Sequence, residues 1–224
     1  MIAYTKSQVK NYTPFDLLDP IQKSISNIYS KEIKKLIKDK SSNIKVLDYA
    51  CGPGRYLDYF PSDILVDFID PSSFAIKILR EKILSKGSDK FHKAICSKIE
   101  SINYSYDIIF SFGLIGEHIP LNEFLLNLFI NRLKPKSKLV ISIDLLNPKS
   151  NSFLRSLRDI ADTNLRLYSI KLPIISSNRS MIPEIIKYIN NEKVLSYDIY
   201  PLISPYLNPS KLRYRHCILE INVK

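Results

Sequence analysis

Cysteine is scarce in this chain. Cys51, Cys96 and Cys217 are the only three in 224 residues, too few for a disulfide scaffold. Each lies in an apolar run and no C-x-x-C pair occurs, so neither a zinc site nor a dithiol redox motif is indicated. No apolar run approaches the roughly 20 residues that span a bilayer, and Met1 to Lys10 lacks the apolar core of a secretory leader. These absences point to a reduced, cytoplasmic protein with no membrane span. Only 5 glycines and a charged fraction of 25% exclude a collagen-like or wholly disordered chain. What remains is an ordinary globular composition, 45% hydrophobic, in a length that suits one large domain over residues 1–224.

The net charge is +11. Basic chains often meet nucleic acid or anionic surfaces. Here lysine outnumbers arginine 24 to 9, and Ile, Asn, Ser and Tyr are also abundant, so a compositional bias with solvated lysines competes with that reading. The excess is spread evenly along the chain. A nucleic-acid partner is compatible with the charge but not favoured by it. No feature speaks to oligomeric state.

Hydrophobic periodicity predicts the element order. Residues 1–40 read as an N-terminal arm followed by an amphipathic helix over Ile21–Lys38. Strands are predicted at Ile44–Ala50, Ile64–Ile69, Lys93–Cys96, Tyr106–Phe112 and Lys138–Ile143. Helices are predicted at Arg55–Phe60, Ser73–Ser85 with Ser72 as its cap, and Leu121–Leu133. Strands that read as unbroken apolar runs indicate an α/β fold, a doubly wound, mostly parallel sheet with helices on both faces. Beyond Asp144 the pattern loosens. Helices are expected at Ser150–Ile160 and Met181–Asn190, and final strands at Val194–Tyr200 and Arg213–Val223. Segments 147–180 and 201–212 read as pocket or lid segments.

In such folds ligands sit beyond the carboxyl ends of the strands, where strand order reverses. The first loop of that kind is Asp48-Tyr49-Ala50-Cys51-Gly52-Pro53-Gly54-Arg55. Its small residues allow a ligand to approach the backbone closely. Asp70 stands 16 residues after Gly54 at the end of the second strand, where a carboxylate can accept both hydroxyls of a ribose. Positions 50 and 57 are Ala and Leu, so the G-x-G-x-x-G dinucleotide spacing is absent, and no Gly-Lys-Ser/Thr of a P-loop follows. A single-nucleoside ligand fits better than a diphosphate.

The stretch Val46–Arg55 resembles motif I of the class I S-adenosylmethionine-dependent methyltransferases of small-molecule type. Asp70-Pro71-Ser72 is similar to that family's acidic second-strand motif, Tyr106–Ser111 to its fourth-strand motif, and Leu133-Lys134-Pro135 to its helix-to-strand junction. The resemblance covers about residues 40–145. It implies a Rossmann-like sheet of seven strands ending in a reversed hairpin, and S-adenosyl-L-methionine as cofactor. By this likeness Asp48, Ala50, Gly52 and Gly54 would line the methionine end. Asp70 would hold the ribose, the residues around Lys98 and Ile99 would flank adenine, and Pro71 and Ser111 would also belong to the cofactor site. Ala50 replaces the family's first glycine, and Ser97-Lys98 stands where an acidic residue often meets adenine.

Methyl transfer from a sulfonium is an in-line displacement, so alignment supplies much of the catalysis. The loop after the fourth strand carries Glu117-His118, which resembles a Glu-His pair of small-molecule methyltransferases. His118 is read either as a general base or as a structural brace of the loop. No Asp ends the fourth strand and no carboxylate cluster appears, so a magnesium-dependent mechanism is disfavoured and no metal site is expected. Asn147-Pro148 reads as a turn. Tyr4, Tyr12 and Phe15 either close over a ligand or anchor the arm, and Arg155, Arg158 and Arg166 either meet an anionic acceptor or form a solvated face. Three functions are therefore open. They are methyl transfer to O or N of a small-molecule acceptor, methylation of RNA or protein, and a non-catalytic binding protein on the same fold.

Overall fold

The computed structural model describes residues 20–38, 43–116, 118–144, 182–201 and 216–224. Helix α1 (Pro20–Ile37) buries Ile25, Tyr29, Ile33, Leu36 and Ile37 along one face, and Lys31, Lys34, Lys35 and Lys38 stand exposed on the other. Strand β1 (Lys45–Tyr49) follows. The helix expected over Arg55–Phe60 is a single 3-10 turn, Leu57–Tyr59. Gly52-Pro53-Gly54 leaves too few residues for an α-helix before Pro61 ends the segment. Then come β2 (Leu65–Asp70), α2 (Ser73–Ser85), β3 (His92–Cys96) and β4 (Tyr106–Ile115). The chain continues through α3 (Glu123–Ile130), β5 (Leu133–Asp144), α4 (Ile182–Ile189), β6 (Val194–Pro201) and β7 (His216–Val223).

Local chemistry sets the helix starts. Ser72 Oγ accepts from the Ala75 N–H at 3.4 Å, and Asn122 Oδ1 accepts from the Leu125 N–H at 2.8 Å. Caps of this kind contribute about 1 kcal/mol each. α3 begins at Glu123, two residues inside the expected Leu121, because Asn122 caps it there.

The seven strands form one sheet in the order β3-β2-β1-β4-β5-β7-β6. β1 to β5 pair in parallel, while β7 runs antiparallel to both β5 and β6, which supplies the reversed hairpin. The expected doubly wound sheet of seven strands is thus observed. Alternation along each strand sends residues to two cores. One holds Leu47, Tyr49, Ile109, Ile141 and Leu219 under α3 and α4. The other holds Val46, Phe68, Phe110, Val140 and Ile218 under α1 and α2.

Strand β5 starts five residues before the expected Lys138, with Leu133 opposite Tyr106 and a register shift before Lys138 pairs with Ile108. Lys136, at φ 61°, marks this irregularity. His92 is buried at the start of β3, with Nε2 3.0 Å from the Pro61 carbonyl. Asp107 is structural, accepting the Lys45 N–H at 2.8 Å and pairing with Lys134 at 2.7 Å. The arm with Tyr4, Tyr12 and Phe15, the segment 147–180 with Arg155, Arg158 and Arg166, most of 201–212, and Glu117 lie outside the described residues.

Candidate active site

The chain leaves β1 for β2 on one side, and later places β4 on the other, so the strand order reverses between β1 and β4. The loop after β1 opens at this switch point. Its backbone is strongly bent: Ala50, Gly52 and Gly54 have φ of 58°, 54° and 79°. The two glycines serve different ends. A Cβ on Gly54 would stand 2.4 Å from Leu79 Cδ1, so this glycine lets α2 pack against the loop. A Cβ on Gly52 would meet no heavy atom within 4 Å, so this position faces open space.

Asp70 braces the loop. Its Oδ2 accepts the Gly52 N–H at 3.0 Å and its Oδ1 accepts the Ser72 N–H at 2.8 Å. Each oxygen keeps a further lone pair for a ligand hydroxyl. Burial raises the Asp70 carboxyl above its ordinary value, opposed by the Ser72 and Gly52 N–H groups and by the charge of His118. Asp48 lies on the same sheet face, opposite Phe68 and Phe110. It is 2% exposed, and its Oδ2 has no hydrogen-bond partner among the described residues. Burial, with the neighbouring Asp70 charge, pushes its carboxyl up to about 8. Cys51 is buried beside both carboxylates and its thiol is pushed up by burial. No Lys or Arg pairs with Asp48 or Asp70 among the described residues. Two buried carboxyls without a cation form a site that favours positive charge.

His118 is half-buried on the loop after β4, close enough to act on Asp70. Its N–H donates to the Leu114 carbonyl at 2.9 Å, and Gly116 donates to Ile119 at 2.8 Å, so the loop folds back on its strand. Asp48, Gly52, Asp70 and His118 are therefore brought together, with Ala50 beside them and Pro71 half-buried next to Asp70.

Other expected residues stand apart. Ser111 falls on the opposite face of the sheet, across from Ile141, and its buried Oγ lacks a partner among the described residues. Lys98 is exposed at the end of the β3 loop. Ile99 is not brought to the loop: its side chain has no exposed surface and its N–H donates to the Tyr49 hydroxyl at 3.2 Å, which ties the β3 loop to β1. Sequence reading missed an aromatic wall beside the loop. Tyr29 of α1 stacks on Phe112 at 4.3 Å, and Tyr56 meets both edge-on. Nothing in the sequence flags this wall, since the three rings come from three separate elements.

The residues present suit a cationic nucleoside cofactor. The Asp70 carboxylate, the open space at Gly52 and the unpartnered Asp48 oxygen converge on one crevice. Among the described residues no cluster of three or more His, Cys, Asp and Glu could hold a metal ion, and no helix is long and apolar enough to cross a membrane.

A family model described as a methyltransferase domain matches residues 40–164. No curated protein matches the chain. Among solved structures, geranyl diphosphate C-methyltransferase from Streptomyces coelicolor A3(2), in complex with Mg2+, geranyl diphosphate and S-adenosyl-L-homocysteine, aligns with a TM-score of 0.64 at 10% identity, covering 88% of this chain and 78% of that one. Magnesium protoporphyrin IX methyltransferase from Synechocystis PCC 6803, with bound S-adenosyl-L-homocysteine, aligns at 0.62 and 14% identity over 96% of this chain and 95% of that one. The plantazolicin methyltransferase BpumL, in complex with a triazolic desmethylPZN analog and S-adenosyl-L-homocysteine, aligns at 0.59 and 15% identity over 98% and 96%. At these identities the likeness shows a shared fold.

Proposed function

This chain belongs to the methyltransferase-domain family, and on that premise we propose that it is an S-adenosylmethionine-dependent methyltransferase acting on O or N of a small-molecule acceptor. The observation that carries the cofactor reading is the crevice itself, where Asp70 holds the Gly52 backbone and buried Asp48 has no counter-cation. By their own descriptions the neighbours named above are methyltransferases of geranyl diphosphate, magnesium protoporphyrin IX and plantazolicin, which supports a discrete acceptor over a polymer.

The cofactor supplies an already activated methyl group. The chain's residues bind and orient. Asp70 offers its free lone pairs to the ribose hydroxyls, and the 50–54 backbone leaves room for the methionine end. Asp48, whose carboxyl burial pushes up to about 8, would release its proton as the positive charge of the cofactor arrives beside it. Pro71 would border the nucleoside side, and Ala50 keeps the turn in the left-handed region that Gly52 and Gly54 share. His118, close enough to act on Asp70, would take a proton from an O–H or N–H acceptor, with Glu117 as its neighbour in sequence.

Calorimetry with S-adenosylmethionine and S-adenosylhomocysteine tests the reading. Saturable binding of both, lost in Asp70→Ala, is expected; binding of neither rejects it. His118→Ala should then lower kcat with little change in cofactor affinity, and unchanged turnover would remove His118 as the base.

A further inference from the structure

A groove of about 600 Å3 lies between the C-terminal half of α1 and residues 58–61. It shares no residue with the crevice of Asp48, Gly52, Asp70 and His118. Lys31, Lys34, Lys35 and Lys38 line one side at i, i+3, i+4 and i+7 spacing, so one helical stripe carries all four ammonium groups. Asp58, Tyr59, Phe60 and Pro61 line the other.

The charges in this groove are only partly matched. Lys35 is drawn to Glu32 at 3.5 Å, and the Asp58 carboxylate is neutralised by an ion pair with Lys86. Lys31, Lys34 and Lys38 have no carboxylate partner among the described residues. The Lys34 ammonium sits over the Tyr59 ring, 5.3 Å from its centroid. A lysine face that serves only solubility is convex and fully hydrated. Here the lysine stems, Ile37, Phe60 and Pro61 give a concave apolar wall, and the cations rim it. Its volume is within the ~300–1,000 Å3 of small-molecule pockets.

We propose that this groove is a second ligand site, for a nucleoside phosphate, with Lys31, Lys34 and Lys38 meeting the phosphate and the Tyr59–Pro61 wall meeting the base. A bare phosphate would leave the apolar wall unused, and an uncharged aromatic would leave three cations unmatched. The phosphate is carried by a free nucleotide or by a nucleotide within an RNA strand, and the probes separate the two.

Uridine monophosphate, uridine, inorganic phosphate and a short oligouridylate would each be titrated calorimetrically into the full chain, with and without S-adenosylhomocysteine. Uridine monophosphate should bind more tightly than uridine or phosphate, unaffected by S-adenosylhomocysteine. The affinity should fall at least about tenfold in Lys34→Gln/Lys38→Gln, a loss of two close charge contacts, and return in Lys34→Arg/Lys38→Arg. Oligouridylate binding more tightly, with steep salt dependence, would assign the phosphate to an RNA strand; equal affinity per nucleotide would assign it to a free nucleotide. No binding at millimolar concentration, displacement by S-adenosylhomocysteine, or an unchanged affinity in the glutamine variant would overturn the proposal. It stands independently of the methyltransferase reading, because its groove is separate.

Discussion

Gly52 and Gly54 lie two residues apart, share the left-handed backbone, and should respond very differently to alanine. Placing a non-glycine residue at positive φ costs about 1–2 kcal/mol. At Gly52 (φ 54°) that is the whole stability cost, since a Cβ there meets nothing within 4 Å. At Gly54 (φ 79°) the Cβ would press on Leu79 Cδ1 at 2.4 Å. Leu79 is 0% exposed in the core under α2, so its Cδ1 methyl would have to turn among packed neighbours to make room. Overpacking of that kind adds about 1–3 kcal/mol, giving about 2–5 kcal/mol for Gly54→Ala. With a urea m-value of about 2 kcal/mol/M, the unfolding midpoint should drop by about 1–2.5 M for Gly54→Ala and about 0.5–1 M for Gly52→Ala. Ligand binding should show the reverse order. Gly52→Ala places a methyl in the open crevice beside Asp70 and should weaken S-adenosylhomocysteine more than Gly54→Ala does. Equal midpoints for the two variants, or a larger loss at Gly52, would refute the assignment of one glycine to packing and the other to the ligand.

Further outcomes follow from the same geometry. Ala50 already holds φ 58°, so Ala50→Gly should leave stability unchanged or raise it by up to about 1 kcal/mol, strain relief being offset by glycine's entropy; thermal melts would show it. Because the Asp48 carboxyl is raised in the folded chain to about 8, the folded state holds a proton that the unfolded state releases near 4. Stability should therefore fall as pH rises from about 4 to about 8, by at most about 1.4 kcal/mol per pH unit from this group. Asp48→Asn should flatten that slope in urea titrations across pH, and an unaltered slope would exclude Asp48 as its source. Tyr49→Phe removes the acceptor of the buried Ile99 N–H and should cost about 1–3 kcal/mol in chemical denaturation. Asp70→Asn retains one acceptor oxygen but meets one of the Gly52 and Ser72 N–H groups with an amide donor, so it should destabilise the fold and weaken cofactor binding together.

Much of the fold was legible because its signals are local. α2 appears at Ser73–Ser85, as the Ser72 cap and the 3.6-residue apolar repeat indicate. The apolar runs of β1, β2 and β4 also stand where expected, since a strand buried on both faces reads as a nearly continuous apolar run. Arg55–Phe60 misled because Tyr56, Leu57 and Phe60 are buried from a 3-10 turn, where apolar spacing imitates a helix. The early start of β5 was not legible. Leu133 is a strand residue only because Tyr106 of β4 lies beside it, and the bulge at Lys136 absorbs the mismatch. The loop and carboxylate of the site were visible as Gly52, Gly54 and Asp70, but the aromatic wall of Tyr29, Tyr56 and Phe112 was not.

By itself the order of residues determined where most strands and the helix α2 fall, and that a glycine-bearing turn and a carboxylate close the first two strands. Those features depend on neighbours within a few positions, through alternation, capping and backbone freedom. Tertiary structure alone decided that Asp48 and Ser111 face opposite sides of the sheet. It also decided that Gly54 rather than Gly52 packs against Leu79, and that four lysines of α1 border a concave wall instead of open solvent. Each of these turns on which distant segment lies alongside, and contacts between distant segments are set by the whole packed sheet rather than by any local run of the chain.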